Sequence, residues 1–535
     1  MRKAIFILLF FPILSFAQKK DYKNFDKAVK YNAEGNIEKS IRYANKALEN
    51  LPDWSKPNLL LASIYANEKQ IELSASYLLK VYNENDSKDV KGIEQVVKLY
   101  YSNGFYDEAL FYSEKIIVQD TNKYRVTTKI DRYINNCKFA IESLKSPVEF
   151  NPINLGNNIN SEFEEYLPAI SVDGKTLVYS RRFMKNNILQ EDFFISEKNE
   201  NNSWTPSKDY GNNLNTYGNE GAFSFSADKE MAVFTACDRE GIIGRCDLYL
   251  LIAGKTYNAG KIINSKEWDS QGCFSPDGKY LYFVSSRKGG YGGKDIWRSE
   301  ITKGGFLTPE NLGPNINTKF DEMSPFLHPD NITLYFSSNG HIGMGDYDIF
   351  MCRRTSTINK WNKPENMGYP INTFNTENSL IVANDGKTAY YASDKSGFGK
   401  EDIFRFELPK NLRAEPLADL EMDIIIKKVG EEVILRNVSF ASNSYTLEER
   451  SFVELEKLIS YLKKNPDLQI EIQGHTDDVG NEIENQRLSE QRANVVFEYL
   501  SPKVNNTLRH KGFGESQPLG KDREENRRTS FIIVD

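Results

Sequence analysis

The chain has little cysteine, little histidine and, beyond its first residues, no apolar run long enough to span a bilayer. Five cysteines in 535 residues are too few for a fold held together by disulfides. The four histidines lack the spacing that is typical of zinc ligands. A net charge of −7 argues against a nucleic-acid-binding protein, which would be expected to carry a basic surface. We therefore expect neither a disulfide scaffold nor a metal site.

Length and composition indicate several domains. A single hydrophobic core does not extend over 535 residues, so the chain is expected to divide. Aromatic residues make up 12% of the chain, with 29 Tyr and 32 Phe. Aromatic side chains are enriched in strands, so much of the chain is predicted to be β-structure.

The first 17 residues have the pattern of a secretory signal peptide. Arg2 and Lys3 precede an apolar run over residues 4–14, and Ser15-Phe16-Ala17 is a small-x-small cleavage site. We expect cleavage after Ala17 and an exported chain located in the periplasm; a retained anchor helix is the alternative. No cysteine follows the cleavage site, so no lipid attachment is expected there.

An exported protein can form disulfides, and one pair of cysteines is suitably spaced. Cys237 and Cys246 flank a short loop, CDREGIIGRC, and would meet if the loop joins two strands. The other three cysteines are interpreted as core residues: Cys137, Cys273 and Cys352.

A helical repeat occupies residues 21–145. EGNIEKSIRYANKAL (34–48), EKQIELSASYLLKVY (68–82) and NGFYDEALFYSEKII (103–117) align with spacings of 34 and 35 residues, and their apolar residues recur at helical spacing. Small residues would let the helices pack closely: Ala28, Ala44, Ala47, Ser74 and Ala109. The period resembles that of the tetratricopeptide repeat, which implies an α-solenoid that docks proteins. A plain helical bundle is the alternative.

Residues 150–410 contain five repeats of short β-runs. Each repeat has a hairpin turn marked by an aspartate, 49 to 55 residues from the next: Asp173, Asp228, Asp277, Asp330 and Asp385. A third strand and a fourth element follow in each repeat, which predicts an all-β propeller of five or six blades. Residues 151–160 match the end of a repeat, so they could complete the last blade. The S-x-D-G-K and D-I-[FW] units resemble exported propeller repeats of the TolB type.

Two features of these repeats look like functional motifs. GGYGGKD (289–295) resembles a phosphate-binding loop, and the aspartates that begin the third strands suggest metal ligands: Asp192, Asp247, Asp295, Asp348 and Asp402. Both features recur once per repeat. We therefore interpret the loops as inter-strand connections and expect each aspartate to cap a turn or pair within its own blade.

A linker over residues 411–430 leads to a compact α/β module at 431–535. The predicted elements of the module are a strand at 433–440, a helix at 447–466, a strand at 468–476, a helix at 485–500 and a last strand from Thr529. The first helix carries one apolar face: Phe452, Leu455, Leu458, Ile459 and Leu462. This order predicts a small mixed sheet with helices on one face.

The module resembles a known family. The series T-D-(x)10-L-S-(x)2-R-A-(x)2-V-(x)3-L runs without gaps from Thr476 to Leu500, and N-R-R follows at 526–528. These residues resemble the C-terminal OmpA/MotB-like peptidoglycan-binding domain. The resemblance implies non-covalent binding of the diaminopimelate stem peptide, with Asp477 taking the ammonium and Arg492 the carboxylate. It further implies these secondary contacts, with Thr476 shaping the loop: Asn485, Leu488 and Arg528.

The chemistry of the ligand agrees with this assignment. Diaminopimelate carries an ammonium and a carboxylate on one carbon, and the planar fork of arginine suits a carboxylate. One departure is that many relatives have Phe-Asp after the first strand, whereas this chain has Phe440-Ala441-Ser442. Any contact of that aspartate is absent here or replaced by Asn443.

The segment GHTDDVG (474–480) admits other readings. A zinc site would need further ligands, and the remaining histidines are not suitably spaced: His328, His341 and His510. Hydrolysis would need a nucleophile or a tuned pair of groups. A structural His475, with its ring hydrogen-bonded beneath the loop, is the favoured reading.

The sequence thus predicts a non-enzymatic periplasmic adaptor without cofactors. It would bind peptidoglycan through the C-terminal module and dock envelope proteins through the repeats, with no nucleic-acid partner and no direct membrane span. The domain combination resembles multidomain OmpA-family proteins of Bacteroidota, some of which are associated with type IX secretion and gliding. The alternative is a propeller hydrolase of glycan or peptide that the C-terminal module localises at the cell wall.

Overall fold

The computed structural model describes residues 11–83, 89–119, 127–185, 187–211, 214–227, 229–354, 361–394, 397–414, 429–435, 438–440, 444–447, 449–520 and 523–534. Contacts divide the chain into two compact units. The first contains residues 1–147 together with 342–346 and 368–376, and the second contains the rest of the chain. Among the described residues, no helix combines the length and apolar character that a bilayer span requires.

The first unit is helical, as predicted. Its described residues form seven helices: α1 (Phe11–Ala33), α2 (Ile37–Leu48), α3 (Ser55–Asn67), α4 (Ile71–Val81), α5 (Val90–Tyr101), α6 (Tyr106–Gln119) and α7 (Thr127–Lys145). The three aligned segments coincide with α2, α4 and α6. A residue with positive φ begins the turn before each of them: Gly35, Lys69 and Gly104, at φ 74°, 59° and 81°. A left-handed residue after a helix ends it and satisfies its last carbonyls, so the repeat is also a repeat of turn geometry.

Small side chains lie where these helices approach each other. Ala28, Ala44, Ala47, Ser74 and Ala109 are all buried, as predicted. Two bonds repeat along the unit at a spacing of 34 residues: Ser40 Oγ donates to the Ala28 carbonyl at 2.9 Å, and Ser74 Oγ donates to the Ala62 carbonyl at 2.7 Å. The first two helix pairs therefore share the same helix-to-helix contact.

Two segments of the β-region, 342–346 and 368–376, also belong to the helical unit. Tyr101 Oη donates to the Gly345 carbonyl at 3.1 Å, and Tyr106 Oη donates to the Met344 carbonyl at 3.0 Å. The sequence divides the chain at residue 150 and gives no sign of this exchange. Loop residues carry no periodicity that would assign them to a distant unit.

The β-region of the second unit consists of antiparallel sheets. Its strands are β1 (Ile153–Asn154), β2 (Glu164–Ile170), β3 (Thr176–Lys185), β4 (Ile188–Glu197), β5 (Lys208–Asp209), β6 (Asn219–Phe225), β7 (Met231–Cys237), β8 (Cys246–Ile252), β9 (Lys255–Asn258), β10 (Asp269–Phe274), β11 (Tyr280–Ser285), β12 (Asp295–Thr302), β13 (Gly305–Phe306), β14 (Glu310–Asn311), β15 (Glu322–Leu327), β16 (Thr333–Ser338), β17 (Asp348–Arg353), β18 (Glu365–Asn366), β19 (Ile381–Val382), β20 (Thr388–Ser393) and β21 (Asp402–Glu407). A short helix, α8 (Gly260–Ile263), follows β9.

The described strands of this region form five sheets. The sheets are β2–β5, β6–β9, β10–β14, β15–β18, and β19–β21 completed by β1. In the fifth sheet, Ile153 pairs with Arg405 and Asn154 with Phe404, so the start of the region completes its last sheet. The first strands of the first four sheets contact one another in order, and β2 of the first sheet also contacts β20 of the fifth. Between the fourth and fifth sheets, His328 Nε2 lies 2.9 Å from the Ala383 carbonyl. Each sheet therefore contacts the next, and the fifth contacts the first.

The first strands share an unusual backbone conformation. In the first four sheets the register of β2, β6, β10 and β15 against the next strand shifts once, at the same place. A non-glycine residue with φ of 50° to 55° stands there, and also before β19: Leu167, Ala222, Gln271, Ser324 and Ser379. These residues line a cavity among the five sheets.

The linker begins later than predicted. Residues 410–412 form a 3-10 turn, Leu412 is buried, and the Ala414 amide donates to the Gly386 carbonyl at 3.0 Å. The β-region therefore extends at least four residues past the predicted end at 410, because the backbone of this segment bonds to the hairpin of the last sheet. Residues 415–428 lie outside the described part of the chain.

The C-terminal module is a four-stranded mixed sheet with helices. Its elements are β22 (Glu432–Ile434), α9 (Glu449–Lys464), β23 (Gln469–Gly474), α10 (Glu482–Leu500), β24 (Leu508–Gly512), α11 (Arg523–Asn526) and β25 (Thr529–Val534). The sheet order is β22-β25-β23-β24, and only β23 and β24 run parallel. The core contains the predicted face of α9 at Leu455, Leu458, Ile459 and Leu462, while the side chain of Phe452 is outside the described atoms.

One strand of this module was missed from the sequence. Leu508–Gly512, LRHKG, forms the edge strand β24. It carries Arg509, His510 and Lys511, and charged residues are common on edge strands because they discourage pairing with other chains. Conversely, the strand predicted over 433–440 ends at Ile434, and residues 436–437 are outside the description.

Candidate functional site

The glycine-rich loop of the third sheet, which resembles a phosphate-binding loop, donates its backbone hydrogen bonds to an aspartate. Asp295 accepts hydrogen bonds from the Tyr291 amide at 2.5 Å, the Gly292 amide at 2.9 Å and Asn311 Nδ2 at 2.6 Å. A buried carboxylate is stable only when such donors surround it. The loop therefore supplies the donors that Asp295 requires.

The same arrangement recurs in other sheets. Asp247 accepts from the amides of Ile243 and Gly244, and Asp402 from those of Phe398 and Gly399. An asparagine from the end of a sheet donates to each of them, as it does to Asp348. The first sheet differs, because Asp192 takes Gln190 and Lys185 as partners at 2.9 and 3.3 Å. Burial raises the pKa of Asp192, and Lys185 opposes this effect. The predicted structural role of these aspartates is thus supported by their contacts.

A second set of buried acids was missed from the sequence. It consists of Glu165, Glu220, Asp269 and Glu322. Each accepts a hydrogen bond from the amide of a Ser or Thr four residues earlier. The repeated pattern Asn-[Ser/Thr]-x3-[Asp/Glu] was the available signal. Burial raises the pKa of Glu220 to about 7.

The cysteines follow the prediction. Cys237 and Cys246 pair across β7 and β8 and form a disulfide. Cys137, Cys273 and Cys352 are free and buried. Across the described ranges, no group of three or more His, Cys, Asp or Glu side chains is arranged to hold a metal.

The candidate binding residue Asp477 lies in the loop between β23 and α10. The N-cap Asn481 fixes the end of this loop, because its side chain accepts from the amides of Ile483 and Glu484. Asp477 is 9% exposed. Its Oδ1 accepts from the Val479 amide at 3.2 Å, and its Oδ2 accepts from Arg527 Nη1 at 2.7 Å. The direct partner of this carboxylate is therefore Arg527, which the sequence did not single out.

Arg492 lies nearby on α10. Its Nε donates to the Ser444 carbonyl at 3.1 Å, and its guanidinium carbon lies 5.0 Å from the centre of the Phe440 ring. Burial lowers the pKa of Arg492, the charge of Asp477 raises it, and the charge of Arg527 lowers it. Asp477 and Arg492 thus interact through space without a direct bond, with a second guanidinium beside them.

The remaining predicted residues have separate places. Asn485 Nδ2 braces the loop by donating to the carbonyls of Asp477 and Val479 and to Glu515 Oε2, the last at 2.6 Å. The Thr476 amide donates to the Gly514 carbonyl at 2.9 Å, and its Oγ1 is buried without a partner among the described atoms. Leu488 follows Asn485 on α10 and is partly buried.

Arg528 does not reach Asp477. It is buried, donates to both oxygens of Glu432 at 2.7 and 3.2 Å, and donates to the Gln517 carbonyl at 3.1 Å. N-R-R offers two arginines, and neighbouring side chains near a strand point in opposite directions. The structure directs Arg527, and not Arg528, toward the loop.

His475 is part of the scaffold beneath the loop. It is 1% exposed and stacks on Phe513, with ring centres 5.4 Å apart. Burial and the charge of Arg528 lower the pKa of His475 to about 4. The ring is therefore neutral near pH 7, and its 3.6 Å approach to Glu432 is not an ion pair there. The predicted ring hydrogen bond is absent, since neither ring nitrogen has a partner among the described residues.

Two neighbouring features complete the region. Asp478 pairs with Arg523 at 2.7 Å on the surface, where both side chains are more than half exposed. The Ala441, Ser442 and Asn443 positions, where the sequence departs from the family pattern, lie outside the described residues.

A profile of the OmpA family matches residues 439–530, which include this whole loop and α10. The C-terminal module is an OmpA-family domain. The chain is 33% identical over 86 residues to Outer membrane porin F of Pseudomonas aeruginosa, covering 16% of this chain and 25% of that protein. It is 28% identical over 125 residues to the Peptidoglycan-binding protein ArfA of Mycobacterium tuberculosis, covering 22% of this chain and 36% of that protein.

Among solved structures, the peptidoglycan-associated lipoprotein from Burkholderia pseudomallei is 31% identical, with a TM-score of 0.17, over 18% of this chain and 87% of that one. The chain spans about a quarter to a third of the length of the two curated relatives named above. The OmpA-family domain therefore accounts for a small part of this chain, and most of the chain lies outside the matched residues.

Proposed function

We propose that this protein is a non-enzymatic periplasmic adaptor whose OmpA-family domain binds peptidoglycan non-covalently. The observation that carries the proposal is that a nearly buried anion, Asp477, and a partly buried cation, Arg492, lie close enough at one loop for their charges to interact. The zwitterionic end of a diaminopimelate stem peptide presents the complementary charges. A charged hydrogen bond in a partly buried site is stronger than one on the surface, so two such bonds would give selective binding.

The other two regions are proposed docking surfaces for envelope proteins. We interpret the helices as tetratricopeptide-like repeats, supported by the 34-residue recurrence of turns and of serine bonds. We interpret the five sheets as a five-bladed propeller, supported by their succession and by completion of the last sheet by β1. On the resemblance to Bacteroidota proteins, the adaptor would anchor an outer-membrane secretion or motility complex to the cell wall.

The composition of the cavity supports a binding role for the sheets over hydrolysis. Among the described residues that line it, none is charged and none is histidine. Glycoside hydrolysis usually requires a pair of carboxylates that flank the scissile bond. The one thiol among these lining residues is that of Cys273, and burial raises its pKa to about 12. At neutral pH this group remains protonated and unreactive.

Co-sedimentation with purified sacculi tests the proposal. Asp477→Ala and Arg492→Ala should each weaken binding by about tenfold or more, because each removes a charged hydrogen bond to the ligand. Asp478→Ala is the matched control, since it removes the adjacent, exposed carboxylate. If both site variants pellet with sacculi as the wild-type protein does, the site assignment is wrong.

A further inference from the structure

Arg527 contacts the carboxylate to which the proposed function assigns the ligand's ammonium. Its Nη1 donates to Asp477 Oδ2 at 2.7 Å. The other oxygen of Asp477 accepts from the Val479 amide, so Arg527 occupies the oxygen that the backbone of the loop does not use. Guanidinium and ammonium are both cationic donors, and both satisfy a carboxylate oxygen in the same way.

The bond to Asp477 is one from which Arg527 can be released. The Arg527 side chain is 49% exposed and makes a single ion-pair contact at this carboxylate, whereas the adjacent Arg528 is 5% exposed and makes three hydrogen bonds. Ion pairs with an exposed partner are weak, because water competes for the charge and a long side chain must be held still. Release of Arg527 therefore costs little, while release of Arg528 would leave Glu432 without its partner.

The local charge makes this release necessary when a cation binds. Two guanidiniums, those of Arg492 and Arg527, already lie near one carboxylate, and the charge of Arg527 lowers the pKa of Arg492. A ligand ammonium at Asp477 would be a third cation in the same space. Like charges in a partly buried site repel strongly, so the most exposed of the three cations must leave.

We propose that Arg527 is an internal counter-ion of the binding loop, which neutralises Asp477 and is displaced by the ammonium of a zwitterionic amino-acid ligand. This inference rests on the proposed peptidoglycan-binding function. It adds that Arg527 competes with the ligand's ammonium for Asp477. Displacement lowers the affinity for such ligands. It also favours ligands that carry an ammonium, because a purely anionic ligand has no group to replace Arg527.

Isothermal titration of the full chain with meso-diaminopimelic acid tests the inference. Arg527→Gln removes the competing charge, so the dissociation constant should fall about two- to fivefold, the range expected for a weak ion pair. Arg527→Lys keeps a cation and should bind as the wild-type protein does. In an Asp477→Asn background, Arg527→Gln should change nothing, because no carboxylate remains to compete for. Pimelic acid, which lacks both amino groups, should gain no affinity from Arg527→Gln.

The outcomes separate this inference from the function on which it rests. If the wild-type protein binds the probe and Arg527→Gln binds equally or more weakly, Arg527 is not a competitor, and the peptidoglycan proposal stands. If neither protein binds the probe or sacculi, both proposals fail. If the Arg527→Gln variant binds the probe and the wild-type protein does not, the result supports the role of Arg527 as an internal counter-ion. Melting temperatures of the variants, expected to match the wild type because Arg527 is half exposed, exclude misfolding as the cause.

Discussion

Asp295 of the third sheet and Asp477 of the OmpA-family domain are buried aspartates in glycine-flanked segments, yet they are neutralised differently. Asp295 accepts two backbone amides and one asparagine, all within 16 residues of it along the chain. Asp477 accepts one backbone amide and the half-exposed Arg527, which is 50 residues away. A carboxylate enclosed by backbone donors cannot change partner without unfolding its loop. One that is paired with an exposed side chain can exchange that partner for a ligand.

The largest effect expected from this comparison is on stability. Asp295→Ala removes the common acceptor of three partly buried hydrogen bonds, and a hydrogen bond to a charged group contributes roughly 1.5–3 kcal/mol. We therefore expect the free energy of unfolding of the sheets to fall by at least about 3 kcal/mol. Urea denaturation followed by tryptophan fluorescence measures this, with Trp297 on the same strand as a buried reporter.

Glu300→Ala is the matched control for that measurement. Glu300 is an exposed carboxylate on the same strand, β12, so its removal should change the midpoint little. If Asp295→Ala unfolds at the same urea concentration as Glu300→Ala, the loop does not depend on its aspartate. The distinction between the two buried aspartates would then fail.

Repetition is what made the role of Asp295 predictable from the sequence. The same aspartate and glycine-rich loop recur across several sheets, and a feature that recurs with the strand pattern is explained by the strand pattern. The same reasoning predicted the hairpins, the third strands and the completion of the last sheet by residues 151–160. Asp477 has no counterpart in another repeat, so its role had to come from the resemblance of the surrounding series.

What the sequence did not reveal is how segments far apart meet. The family resemblance pointed to Asp477 and Arg492, but Arg527, Ser444 and Glu515 enter the site only when the loop, α10 and the segment before β25 fold together. N-R-R supplied two arginines, and no local pattern tells which one turns inward. Likewise, segment 342–346 joins the helical unit through backbone carbonyls, which every residue carries.

A smaller effect is the pH-dependent contribution to stability of His475, which lies beneath the Asp477 loop. His475 has a pKa of about 4 in the folded protein, below its ordinary value of about 6.5. The unfolded chain therefore binds a proton as the pH falls below 6.5 while the folded chain does not, so stability is lost between pH 6.5 and 4. At pH 5 the loss from this residue is about 2 kcal/mol relative to pH 8.

Urea titrations of the wild-type protein and His475→Phe at pH 8, 6.5 and 5 isolate this contribution. Phenylalanine keeps a flat ring against Phe513 and does not titrate. The Glu432 carboxyl, whose pKa is held low chiefly by Arg528 against the effect of burial, also loses stabilisation in acid and acts in both proteins. The stability of the wild-type protein relative to His475→Phe should thus decline as the pH falls. If the difference in free energy of unfolding between the two proteins stays constant with pH, His475 titrates normally and its ring is open to water.

The smallest effect separates two adjacent residues of the same loop. Asp477–Arg527 and Asp478–Arg523 are both 2.7 Å ion pairs, but the Asp477 side chain is 11% exposed and that of Asp478 is 66% exposed. The hydrogen bond from Arg523 lowers the pKa of Asp478, yet water surrounds both groups and screens their charges. Asp478→Ala should leave the melting temperature and sacculus binding unchanged.

Equal losses of binding from Asp477→Ala and Asp478→Ala would mean that the loop attracts its ligand by general negative charge. Because the two distances are the same, a difference between the variants would assign the selectivity of the loop to burial.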